Sequence, residues 1–134
     1  RDLTKDLGFS RQDRDENLKR VTEIARQQTD KGSIVLATFV SPYRDRRDKT
    51  RAAIGSFLEV YAQCPLEVCK QRDVKGMYKL ALAGKLHGFT GVDDPYEEPL
   101  YPDLIIHTDT ETIDESTTKI LNLLRRRGYI TEEQ

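Results

Sequence analysis

Ser33-Ile34-Val35-Leu36-Ala37-Thr38-Phe39-Val40 is apolar almost without a break. A strand covered on one face alternates apolar and polar side chains, whereas one covered on both faces does not. The run therefore predicts a parallel strand with a layer on each side, ended by Ser41-Pro42-Tyr43. Residues 57–62 and 103–107 predict two further strands. Helical patterns lie between them. Ser10 and Asp13 have the S-x-x-D spacing of an N-terminal cap, and Asp13, Asp15 and Glu16 suit the positive end of a helix dipole. Leu18, Val21, Ile24 and Ala25 then recur at helical spacing, and Lys31-Gly32 stops the helix. Further helices are predicted over 44–55, from Pro65 to about Arg72, and over 76–84. Residues 85–102 predict a loop, punctuated by Gly88, Gly91, Pro95, Pro99 and Pro102. Thr112 and Glu115 form a capping box for a last helix. Its expected inner face is Ile113, Thr117, Ile120, Leu121 and Leu124. Arg125, Arg126 and Arg127 suit its negative end, and Gly128 stops it.

Strands alternating with helices argue for parallel βαβ units, hence an α/β fold with a parallel sheet and helices on both faces. The 134 residues fit one domain. Three such strands make a small sheet, and apolar strands have no use for an open flank. A βαβ portion N-terminal to residue 1 is therefore expected. The formal net charge is −1, from 22 basic and 23 acidic residues. That balance supplies no long-range field for nucleic acid or an anionic membrane. The run Arg44, Arg46, Arg47, Lys49, Arg51 is interrupted by Asp45 and Asp48 and lacks an aromatic stacking platform, so it reads as a solvated helix face. No apolar run approaches the roughly 20 residues needed to cross a bilayer. Cys64 and Cys69 have no second pair, so zinc is not expected and two reduced thiols are.

Three short motifs carry chemistry. They are Leu7-Gly8-Phe9-Ser10 with Asp13-Arg14-Asp15-Glu16-Asn17, then Lys75-Gly76-Met77-Tyr78-Lys79, then Phe89-Thr90-Gly91. In this order and spacing the chain resembles the adenylylsulfate kinase family over nearly its whole length. The resemblance implies a P-loop nucleotide-kinase fold. It also implies ATP-dependent phosphorylation of the 3′-hydroxyl of adenosine 5′-phosphosulfate. ATP and Mg²⁺ would be the cofactors, bound mainly through a G-x-x-x-x-G-K-[ST] loop. Neither that loop nor the family's D-G-D-like turn occurs in these residues. The family pattern places both before residue 1, so the 134 residues alone are expected to be inactive. The resemblance further implies a homodimer, in some members fused to a sulfate adenylyltransferase, and the two reduced thiols suit a cytoplasmic protein. The expected partner is the small nucleotide substrate, with no nucleic acid and no membrane.

The substrate offers a purine, a ribose and a phosphosulfate. Its site needs flat apolar faces and forked donors. By resemblance, Phe9 and Phe89 close on the adenine. Arg14 and Asn17 lie three apart and share one face of the first helical turn, where the family pattern sets them against the phosphosulfate and nearby polar groups. Ser41 stands at the carboxyl end of the expected strand, where α/β ligand sites collect. It is the catalytic candidate, as a polar contact to the phosphoryl group in transfer. Arg72 and Lys75 are the candidates for lid charge over the phosphates, and Thr108 is the candidate contact to the ATP base. Each has an ordinary reading beside it: core phenylalanine, solvated helix start, turn serine, surface cation. Two other functions stay open from sequence, a non-catalytic nucleotide-binding or regulatory domain and a P-loop kinase for another small acceptor.

Overall fold

The computed structural model describes residues 5–8 and 10–131. The elements follow as α1 (Arg11–Asp30), α2 (Arg44–Ile54), β1 (Val60–Gln63), α3 (Leu66–Arg72), α4 (Met77–Leu82), β2 (Leu104–His107) and α5 (Ile113–Arg126). They fall into two compact units. One comprises Arg1–Phe57 with Asp73–Glu98, the other Leu58–Arg72 with Pro99–Gln134.

In the first unit α1 packs on α2. Ser10 caps α1, accepting from the Asp13 N–H at 3.1 Å and donating its hydroxyl to the Asp13 carboxylate at 2.7 Å. Between the helices, the Thr22 and Thr50 hydroxyls meet at 3.1 Å and Arg46 Nη2 meets Asp15 Oδ2 at 2.5 Å. The α2 arginines correct the expectation of a solvated face. Arg44, Arg46, Arg47 and Arg51 are half-buried, and Arg47 donates to the backbone carbonyls of Ser41 (2.6 Å) and Glu97 (2.5 Å). A guanidinium has five donors, enough to cross-link loops that have no ladder of their own.

In the second unit β1 and β2 pair in parallel, with Val60 opposite Leu104 and Gln63 opposite His107. The Glu59–Asp103 corner closes one end: Asp103 N–H donates to Glu59 O at 2.9 Å, and Glu59 N–H donates to Asp103 Oδ2 at 2.8 Å. The capping box is present, Thr112 Oγ1 accepting from Glu115 N–H and Glu115 Oε2 from Thr112 N–H. The inner face of α5 differs from expectation. Ile113 is 85% exposed and Thr117 and Leu121 face solvent, while Ser116 and Leu123 are buried and Ile120 and Leu124 half-buried. The true stripe is i, i+4, i+7, i+8, rotated from the one read off the apolar residues.

The largest departure concerns residues 33–40, which do not form a strand. Ile34, Val35, Leu36, Phe39 and Val40 are all exposed, Leu36 at 81%. A strand exists only where a neighbour completes its hydrogen bonds. Among the described residues the only named ladder is β1–β2. The observed sheet is therefore two-stranded rather than three-stranded, and its strands lie at Val60–Gln63 and Leu104–His107 rather than over 57–62 and 103–107.

Two outcomes test this packing. Thr112→Ala should lower unfolding stability by about 1 kcal/mol through loss of the cap, read from denaturant midpoints. The Glu111 carboxylate accepts from Lys119 Nζ (2.6 Å), His107 N–H (3.0 Å) and the Ser116 hydroxyl (3.0 Å). These bonds, that to Lys119 first, lower its pKa from 4.5 to about 2. The folded state thus holds this proton more weakly than the unfolded chain does. Its stabilisation is complete above about pH 4.5 and fades as pH falls toward about 2. Glu111→Gln should flatten the melting temperature against pH in that window, and an unchanged slope would contradict the assignment.

Candidate substrate site

The first turn of α1 carries Arg14, half-buried with its side chain 21% exposed. Arg14 Nη1 donates to Thr90 Oγ1 at 2.9 Å and lies 3.2 Å from Asp94 Oδ2, and Nη2 donates to the Gly88 carbonyl. One side chain from α1 is therefore fastened to the loop that presents Phe89. The loop is built for a tight turn. Gly88 and Gly91 have φ of 66° and 85°, in the left-handed region that side chains with a Cβ rarely enter. Asp93 grips its start, Oδ2 accepting from Gly88 N–H at 2.7 Å and Oδ1 from Phe89 N–H at 2.6 Å. Those two backbone donors hold the Asp93 carboxyl below its ordinary pKa. The Phe89 ring is half-buried and meets Tyr78 of α4 edge-on, centroids 4.9 Å apart. Among the described residues Tyr78 is its one aromatic neighbour, and the ring is incompletely enclosed.

Asn17 lies one turn further along α1. Its Oδ1 is buried without a hydrogen-bond partner among the described residues. Ser41 is the one described residue other than glycine with positive φ, 41°. Its Oγ is also buried and unpartnered among the described residues. Buried polar atoms without a partner and a non-glycine residue at positive φ are both uncommon in folded chains. Pro42 and Tyr43 lead from Ser41 into α2. Tyr43 is buried, 6% exposed, and its hydroxyl donates to Asp94 Oδ2 at 2.8 Å. Burial, and then that bond, push its pKa up. The Arg11 guanidinium lies 4.4 Å from the Tyr43 ring centre.

The remaining expected residues divide. Lys75 is exposed at the start of α4. The helix has Gly76 at its N-cap, which offers no side-chain acceptor, and Asp73 replaces one. Its two carboxylate oxygens accept from the Tyr78 and Lys79 N–H groups, each at 3.0 Å. Arg72 and Thr108 belong to the second unit and are brought together there. Arg72 Nη2 donates to the Thr108 carbonyl at 2.7 Å, and Thr108 N–H donates to Gln63 O at 3.0 Å, past the ends of β1 and β2. Phe9 lies outside the described residues. Neither Cys64 nor Cys69 is in a disulfide among the described residues. Among the described residues no group of three or more His, Cys, Asp or Glu converges on a metal position. A cleft of about 780 Å³ between α1 and α2, lined by Asp15, Thr22, Arg46 and Thr50, contains none of the expected site residues.

Sequence reasoning did not single out Asp73, Asp93, Asp94, Tyr43 or Glu97. Glu97 caps α2 from afar, its carboxylate accepting from Arg44 N–H at 2.8 Å. The signal for the aspartates was present in Gly91-Val92-Asp93-Asp94-Pro95, since Asp before Pro favours turns closed by its own carboxylate.

A family model described as adenylylsulphate kinase matches residues 1–107. An adenylyl-sulfate kinase of Rippkaea orientalis is 52% identical over 130 residues, 97% of this chain and 72% of the relative. One of Halothermothrix orenii is 51% identical over 96% of this chain and 69% of its own length. Among solved structures, the Mycobacterium tuberculosis APS kinase in complex with AMPPNP and APS aligns with a TM-score of 0.85 at 42% identity. That alignment covers 92% of this chain and 73% of the other. A hexameric APS kinase from Thiobacillus denitrificans aligns at 0.69 and 29% identity, over 96% of this chain and 21% of the other. These likenesses carry the fold as well as the sequence, and the chain belongs to the adenylylsulphate kinase family.

Proposed function

We propose that this protein transfers the terminal phosphoryl group of ATP to the 3′-hydroxyl of adenosine 5′-phosphosulfate, giving 3′-phosphoadenosine 5′-phosphosulfate and ADP. The observation that carries the reading is the meeting of Arg14 with the Phe89 loop. It supplies a cationic fork beside an aromatic face, in a chain 42% identical to an enzyme solved with AMPPNP and APS. Phe89, with Phe9 opposite, stacks on the adenine. Arg14 turns part of its fork to the phosphosulfate, and Asn17 Oδ1 takes a hydroxyl or amine hydrogen of the nucleotide. Ser41 Oγ meets the phosphoryl group in transfer. Lys75, at the exposed start of α4, brings charge over the phosphates, and Arg72 assists from beside Thr108. Thr108 flanks the base of ATP. Residues 1–134 act as a single domain of this kind, in a cytoplasmic homodimer.

Phosphoryl transfer relies on positioning and on neutralising charge. In P-loop kinases the cradle for the ATP phosphates is a G-x-x-x-x-G-K-[ST] loop, which these residues do not contain. Mg²⁺ would be held mainly through the hydroxyl of that loop and the ATP phosphates. What this chain contributes is acceptor recognition and closure.

The test is a coupled ADP-release assay on the full-length protein, offered adenylylsulfate and AMP separately. Turnover is expected with adenylylsulfate, whereas turnover of AMP alone would overturn the acceptor assignment. Calorimetric titration should show Arg14→Ala weakening adenylylsulfate binding by about 2–5 kcal/mol, the range for truncating one partner of a desolvated charge pair. Unchanged affinity would leave Arg14 as a loop fastener only.

A further inference from the structure

Asp94 Oδ2 accepts from two sides of the candidate site, from Arg14 Nη1 at 3.2 Å and from the Tyr43 hydroxyl at 2.8 Å. The Arg14 and Asp94 side chains are each 21% exposed, so the pair is sheltered but within reach of a ligand. Tyr43 is buried, and its hydroxyl needs an acceptor. The same aspartate closes the Phe89 turn through its backbone. Its carbonyl accepts from Gly91 N–H at 2.8 Å, and its N–H donates to the Phe89 carbonyl at 3.3 Å. One residue thus sets both the level of the aromatic loop and the direction of the guanidinium fork. An arginine left to itself spreads over many rotamers, and fixing it costs entropy at the moment of binding. A carboxylate beside an anion-binding arginine would repel the ligand if it stood alone. Here it is shared between a cation and a hydroxyl, with the Arg11 guanidinium over the Tyr43 ring.

We propose that Asp94 is a positioning residue for the acceptor nucleotide. It holds Arg14 aimed at the anionic tail and Tyr43 behind it, and acts on the substrate only through Arg14. The inference rests on the reading of Arg14 as the anion contact. A double-mutant cycle on adenylylsulfate affinity tests it, with circular dichroism and melting to confirm folding. Asp94→Ala should weaken binding about tenfold to a hundredfold, the scale at which misplacing a positioning group by about 1 Å is felt. Asp94→Glu should recover part of the loss. In an Arg14→Ala background, Asp94→Ala should change affinity less than about twofold, because its route of action is gone. Full additivity, or no effect of Asp94→Ala where Arg14→Ala is damaging, overturns this inference and leaves the anion reading standing. Full affinity in Arg14→Ala overturns both. Should Asp94→Ala not fold, Asp94→Asn keeps the shape and an acceptor but removes the charge. It should bind more weakly than the parent, and parental affinity in that variant overturns the proposal.

Discussion

A half-buried guanidinium must be paired, and the way Arg14 is paired decides how the candidate site is arranged. Its side chain starts on α1 and ends on Thr90, Asp94 and the Gly88 carbonyl, 74 to 80 residues away in sequence. Leaving such a charge partly shielded from water and without partners is unfavourable. The loop of Phe89 is therefore tied to the first turn of α1, although no ladder joins them. Phe89 inherits its position from that tie, and Ser41 from the turn at Ser41–Tyr43, which Asp94 links to the same guanidinium through the Tyr43 hydroxyl.

Caps supplied from outside the N-cap position recur around the site. Neither α2 nor α4 has a side-chain acceptor at its N-cap, Tyr43 in one and Gly76 in the other. Glu97 supplies the missing carboxylate to Arg44, and Asp73 supplies it to Tyr78 and Lys79. Carboxylates suit this work because each opened helix start carries partial positive charge and orphan N–H donors. The loop that carries Phe89 thus also secures the start of α2. A change in this loop should be felt at Ser41.

Features governed by local rules were legible in the sequence. Ser10 caps α1 through Asp13, and Thr112 with Glu115 caps α5, because both depend on residues three apart. The strands near 60 and 104 were legible because two short apolar runs bounded by polar turns leave few other choices. The failures have a common cause. The run 33–40 was read from its own composition, but a strand is a property of a pair, and among the described residues it has no ladder. The inner face of α5 was read from apolarity, yet Ser116 is buried because Glu111 accepts from its hydroxyl at 3.0 Å. Lining up Arg14 with Phe89 needed the resemblance. The roles of Asp93 and Asp94 needed the folded loop, since nothing in the spacing tells which carboxylate faces which donor.

The central claim is that Phe89 and Arg14 form one recognition surface for a purine nucleotide with an anionic tail. A crystal structure of the protein with bound adenylylsulfate tests it most directly. The account predicts the adenine stacked on the Phe89 ring and a sulfate or phosphate oxygen within hydrogen-bond distance of the Arg14 guanidinium. A nucleotide bound elsewhere, with Phe89 still on Tyr78 and Arg14 still wholly spent on Gly88, Thr90 and Asp94, would contradict it.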